Sequence, residues 1–194
     1  TTIVSNVVVK GNSSDAGGGG IYFMSAGNVG NMLIENSLIL GNSTDGSGGG
    51  YSGKYPIRNS TIIRNIANES GGGISGQASV NNCRVVNNLS YNTGGGISGS
   101  GEIVNSAIIQ NFSSGMGGGL DGSPTINLCT IHSNKSSTEK TGIYSSQGGI
   151  ELSNSNISGH LSYSVFNDNN ADFIVAENNY WGDSSGPNNT YQNP

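Results

Sequence analysis

The feature that most constrains this chain is a repeat. The stretch SGGGISG at 70–76 returns as GGGISGS at 94–100, with its glycines displaced by 23 residues. A second block keeps the same step: IENSLILGN (34–42), IRNSTIIRN (57–65), VNNCRVVNN (80–88), IVNSAIIQN (103–111) and INLCTIHSN (126–134). VSNVVVKGN (4–12) opens the series and LSNSNISGH (152–160) extends it. A unit of this length exposes an apolar stripe that it cannot bury alone, so the units must stack, which is the logic of a solenoid.

Each column of the repeat has a physical task. One apolar column runs Val4, Ile34, Ile57, Val80, Ile103, Ile126, Leu152 and Ala176; a second runs Val9, Ile39, Ile62, Val85, Ile108, Ile131, Ile157 and Trp181. They lie an odd number of residues apart, so an unbroken strand of period two would aim them at opposite faces and a bend must separate them. The bend is the column Asn6, Asn36, Asn59, Asn82, Asn105, Asn154 and Asn178, interrupted by Leu128, because Asn tolerates the left-handed conformation. The next column holds Ser37, Ser60, Cys83, Ser106, Cys129 and Ser155, small enough for the inside of a corner. A last column, Asn12, Asn42, Asn65, Asn88, Asn111 and Asn134, ends the strand and opens a variable polar loop. The glycine triplet then precedes one apolar residue per repeat: Ile21, Tyr51, Ile74, Ile97, Leu120 and Ile143.

Helix signals are missing, and each unit reads as two or three short strands joined by sharp turns. The expected fold is all-β: a single-stranded right-handed parallel β-helix of about eight coils with a period of 23 residues, following the crossover preference of parallel strands. It forms one domain over 1–194, with an insertion at 22–32 in a longer first coil and a closing segment at 178–194.

The residues GGGI (71–74) and I-x-x-N, as in Ile62 to Asn65 and Ile108 to Asn111, resemble the GGAI and FxxN repeats of polymorphic outer-membrane proteins. More broadly, they resemble the right-handed parallel β-helix superfamily of secreted surface proteins and polysaccharide-active enzymes. NNYWGDSSGP (178–187) is similar to the segment that closes many bacterial and archaeal repeats of this type. Ile or Val stands here where the outer-membrane family prefers Phe. The resemblance implies the fold and an extracellular or cell-surface location; activity does not follow, because one scaffold hosts enzymes, adhesins and envelope components.

Several function classes fall away on composition and spacing. Gly71, Gly73 and Gly76 satisfy G-x-G-x-x-G, but four copies at one period, none followed by an amphipathic helix, are structural rather than nucleotide-binding. A net charge of -5 with only 7 Lys and Arg gives no nucleic-acid footprint. No apolar run of about 18 residues suggests membrane insertion. The chain begins at Thr1 without Met, which we read as a processed mature chain or an excised domain.

Cys83 and Cys129 share a column two repeats apart, about 9.6 Å from strand spacing, too far for a disulfide, so two buried free thiols are expected. Among the N-x-S/T sequons, Asn12, Asn42, Asn68, Asn88, Asn111, Asn134 and Asn188 are glycosylation candidates, whereas Asn59 in the bend column is expected to be inaccessible. Equal loop lengths place Asp15, Asp45 and Asn68 in one column beside Glu69; this is either an oxygen-rich calcium site or a set of solvated loop carboxylates. No other cofactor is implied.

For catalysis the stock of groups is poor. Sugar-cleaving β-helices need clustered acids on adjacent coils. Glu35 and Arg58 are outward neighbours that read as an ion pair, and Glu102 and Glu151 are two coils apart. Asp121 has Ser98 and Tyr144 beside it; His132 sits among aliphatics. Gly159-His160 is half of a G-H-G motif without its second glycine. Asp168, Asp172, Glu177 and Asp183 gather acid near the end of the chain. Tyr22, Phe23 and Met24 in the insertion are candidate interaction residues, or a lid over the first coil. The function expected is a non-catalytic extracellular structural protein, a β-helical building block of an appendage, envelope layer or adhesin. It would associate through coil ends with copies of itself or a neighbouring repeat domain, with surface glycans as a further partner class. A polysaccharide lyase or glycoside hydrolase is the alternative; ice binding lacks its flat Thr face.

Overall fold

A computed structural model describes residues 2–23, 31–146, 148–168 and 173–182. They form an all-β parallel solenoid without helix. Each regular coil carries four short strands, which in the third coil are Ile57–Arg58, Thr61–Ile63, Ile66–Ala67 and Ile74–Ser75. Strands of successive coils pair in parallel into four sheets of eight, seven, six and seven strands, here called sheets I to IV in coil order. The six-stranded sheet sets the count: about six turns are complete, and four further strands (Ile150–Ser153, Asn156–Ser158, Tyr163–Asn167 and Ile174–Glu177) extend the other sheets, rather than eight full coils.

Register follows the repeat. Ile57 pairs with Val80 and Val80 with Ile103 on sheet I; Ile62 pairs with Val85 and Val85 with Ile108 on sheet II. These columns and the one through Tyr51, Ile74 and Leu120 are buried at 0–3% exposure and form the core, to which each such side chain contributes roughly 1.5–3 kcal/mol. Trp181 packs against this core, but Ala176 on the last strand is exposed. The third strand of each coil, in sheet III, escapes the pattern because it is two residues long and turns a small residue inward: Thr44, Ala67, Ser90 or Ser113.

The corner between sheets I and II is built as its sequence implies. Asn6, Asn36, Asn59, Asn82, Asn105, Leu128, Asn154 and Asn178 all have φ between 46° and 57°. From sheet III to sheet IV the glycines let backbones nearly touch: Gly71 has φ +70°, and a Cβ on Gly72 would lie 2.3 Å from the Leu89 carbonyl oxygen.

The two Asn columns exchange the roles expected of them. Asn59, Asn82 and Asn105 are exposed, whereas Asn42, Asn65, Asn88, Asn111 and Asn134 are 0–1% exposed. The inner column is a ladder. The Nδ2 of Asn65 donates to Asn88 Oδ1 (3.0 Å) and to the Ile39 carbonyl (3.0 Å), and its backbone N–H donates to the same Asn88 Oδ1 (2.9 Å). Asn88 repeats this on Asn111, and Asn111 on Asn134. A carboxamide with two donors and a two-lone-pair acceptor satisfies itself completely at this spacing, which is why a polar side chain can occupy the core.

Candidate functional site

The sequons divide by this burial. Asn42, Asn88, Asn111 and Asn134 spend their amide nitrogens inside the stack, so they are not glycan acceptors in the folded chain. Asn12 and Asn68 are exposed; Asn188 lies outside the described residues. Asn59, expected to be inaccessible, is exposed at the corner, its Oδ1 accepting from Asn82 Nδ2 at 2.8 Å. The corner turns its carboxamides outward because the small column behind it (Ser60, Cys83, Ser106) fills the inside.

The calcium expectation finds no ligand set. Asn68 presents its Nδ2, a donor, to Asp45 Oδ1 at 2.7 Å, and Glu69 Oε2 accepts from Ser47 Oγ at 3.0 Å. Asp15 is exposed, and among the described residues no group of three or more His, Cys, Asp or Glu side chains is placed to hold a metal. Tyr22 is 51% exposed. Phe23 instead packs edge-on against Tyr51 (6.0 Å) and Tyr55 (5.7 Å), which makes it part of the core's end, and Met24 lies outside the described residues. Cys83 and Cys129 are free and buried; burial pushes each thiol up to about 11, away from reactivity.

The densest chemistry is on sheet IV near the C-terminal end. The outward column there changes from Ser52, Ser75 and Ser98 to Asp121, Tyr144 and Phe166, all in register. The strand Lys140–Ser145 is longer than its predecessors and shifts register against Tyr163–Asn167, which brings Lys140 alongside. Lys140 Nζ and Tyr144 Oη each donate to Asp168 Oδ2 at 3.1 Å. The Lys140 ammonium also lies 4.3 Å from the Phe166 ring centroid and 4.9 Å from that of Tyr144. Thr93 Oγ1 donates to Asp121 Oδ2.

Two carboxyls are thereby driven in opposite directions. Burial raises that of Asp121, against hydrogen bonds from Thr93 and Ser98, while the hydrogen bonds from Lys140 and then Tyr144 lower that of exposed Asp168. Such a divergent pair is what acid–base chemistry requires. The sequence brought out Asp121 with its neighbours Ser98 and Tyr144 and, separately, Asp168; it did not join them, because the join depends on the register shift. Glu35 and Arg58 are register neighbours, but the expected ion pair between them is not formed; Glu35 Oε1 instead accepts from Ser5 Oγ at 3.4 Å.

His160 has a different place. Thr130, Ile131 and His132 pair with Asn156, Ile157 and Ser158, so His160 follows Asn134 in the inner ladder column. Its Nε2 would lie 3.1 Å from a Cβ on Gly142, much as Asn134 Nδ2 would lie 2.9 Å from one on Gly119. Both ring nitrogens are buried without a hydrogen-bond partner, and burial, with His132 adding to it, pulls the imidazole down to about 4. The ladder ends there.

No helix among the described residues is long and apolar enough to cross a membrane, a statement that leaves strands aside. Comparison with known proteins returns no family, no curated protein and no solved structure that matches this chain.

Proposed function

We propose that the chain is a non-catalytic extracellular structural protein, a β-helical building block of a cell-surface appendage, envelope layer or adhesin that associates with copies of itself or with a neighbouring repeat domain. Surface glycans are a further partner class. The observation that carries this reading is the continuous inner ladder from Asn12 to Asn134. The repeat commits its most regular polar column to coil-to-coil cohesion rather than to a cleft, as suits a stiff rod. Light scattering across a concentration series, with electron micrographs of the concentrated protein, tests it. Association into dimers or longer assemblies is expected; a monomer throughout, with no assemblies on the grids, would sink the reading.

A second reading, a polysaccharide lyase or glycoside hydrolase, is favoured by one observation: the Asp121–Tyr144–Asp168 cluster, with its carboxyls pushed apart. It requires new reducing ends or an unsaturated product from a polysaccharide, and loss of that product in both Asp121→Asn and Asp168→Asn.

A further inference from the structure

Sheet III turns an apolar stripe to solvent. Its outward positions on the third to fifth coils are Ile66, Leu89 and Phe112, paired in register. Ile66 and Phe112 are each 37% exposed, and Tyr91 beside them is 57% exposed. Their strand partners Ala67, Ser90 and Ser113 face inward at 0% exposure, so the large residues face out because only small ones fit inside this sheet. Contiguous exposed apolar side chains on a regular sheet mark an interaction surface.

The flanks of the stripe differ in charge. Arg64 stands exposed on the corner that leads into sheet III, and Asp45 and Glu69 stand exposed on the loop that leaves it. Asp45 and Glu69 accept hydrogen bonds from the neutral side chains of Asn68 and Ser47, and among the described residues none of these three charges stands in a salt bridge.

We propose that this face docks on the same face of a second copy, with the two-fold axis running along the coil stack. Ile66, Leu89 and Phe112 then meet their own counterparts, and each Arg64 lies over the Glu69 of the other copy. Such an interface is self-complementary in shape, and in sign at the third coil; Lys135, the next outward residue beyond Phe112, would face its own counterpart at the edge of the contact. A two-fold axis across the stack would instead set Arg64 opposite Gln110, an uncharged side chain, and leave Glu69 without a cation. The apolar stripe is narrow against the roughly 800 Å² per partner of a standard interface, so dissociation falls in the micromolar range or weaker. The inference rests on the self-associating building block proposed above and replaces end-to-end contact with lateral contact.

The test is sedimentation equilibrium of the full chain over a range of concentrations. Wild type is expected to form a dimer. Leu89→Glu should weaken it at least about tenfold with an unchanged circular dichroism spectrum, and Phe112→Ser, milder to the fold, should weaken it too. Arg64→Glu and Glu69→Arg should each be monomeric alone, since each sets like charges together twice. Mixed one to one they should dimerise again, since both cross-pairs are then opposite in sign. Association that survives Leu89→Glu and Phe112→Ser overturns lateral docking while leaving self-assembly standing. A dimer lost in the stripe variants but not rescued by the charge-swapped mixture overturns the two-fold arrangement. A wild type that stays monomeric overturns both.

Discussion

Truncating Asn88 to alanine should damage this molecule far more than truncating Asn82, although both are asparagines in stacked columns, on either side of one strand of the same coil. Asn88 Nδ2 donates to the Ile62 carbonyl and to Asn111 Oδ1, each at 3.0 Å, and its Oδ1 accepts from the backbone and side-chain nitrogens of Asn65 at 2.9 and 3.0 Å. Asn88→Ala leaves the Asn65 N–H and one Asn65 amide hydrogen without partners in a site that is 1% exposed, while the Ile62 carbonyl keeps its ladder bond to the next coil. A buried polar group left unpaired costs about 1–3 kcal/mol, so the two together cost about 2–5 kcal/mol once some relaxation is allowed. Asn82 is exposed, donates to Asn59 at 2.8 Å and accepts from Asn105 at 3.3 Å. Water replaces those bonds, and the remaining cost of Asn82→Ala is the left-handed backbone at φ 51°, about 1–2 kcal/mol. Because solenoids open locally, native-state hydrogen exchange is a better assay than a single midpoint. The amides of the third and fourth coils should exchange about a hundredfold or more faster in Asn88→Ala, against about tenfold in Asn82→Ala. Equal effects in the two variants would refute the argument that burial, not residue type, gives the inner ladder its strength.

Three further outcomes follow from the same geometry. His160→Asn should extend the ladder from Asn134 and stabilise the C-terminal coils by about 1–2 kcal/mol, two neutral hydrogen bonds' worth, read as slower hydrogen exchange there. The wild-type imidazole, neutral in the folded chain down to about 4, takes up its proton near 6.5 once unfolded, so stability is flat above that value and falls as pH drops towards 4. The difference between wild type and His160→Asn in urea midpoint should therefore widen across that window and stay constant above it. Leu128→Asn should stabilise by about 1 kcal/mol, because Leu128 holds φ 57° at 57% exposure where other coils carry Asn; thermal unfolding checks the sign. Cys83 and Cys129, with thiols pushed up to about 11, should react with a disulfide reagent at pH 8 only at the rate at which the chain opens, and should react fully in denaturant.

The fold was legible in the sequence because a solenoid writes its cross-section once per coil. The apolar columns, the left-handed corner and the glycine triplets each repeat often enough to be read without pairing information. The roles of the two Asn columns were not legible. Asn59 and Asn88 both come just after a short strand; which faces inward depends on the corner angles, which no single-coil pattern encodes. Sheet III stayed hidden because a two-residue strand with an inward Ser has no periodic signature. At the sheet IV cluster the residues Asp121, Tyr144 and Asp168 were each visible, but their meeting depends on a register shift at Lys140 in a part of the chain where the period itself changes.

Where the chain lengthens also follows from the corners. Sheet III is followed after a constant interval by sheet IV in all six complete coils, from Ser14 to Ile21 as from Ser136 to Ile143. In the six complete coils the residues added to a 23-residue coil fall between sheet IV and the next strand of sheet I, from Ile21 to Ile34 and from Ile143 to Leu152, against Tyr51 to Ile57 in a regular coil. Three corners are fastened, by left-handed asparagines, by the amide ladder and by touching glycines, and an added residue at any of them would break every bond stacked above it. The fourth is a seam. Descendants of this chain can acquire new loops along one edge of the rod without loosening the rest, and a designer who wished to display a peptide on it would cut there.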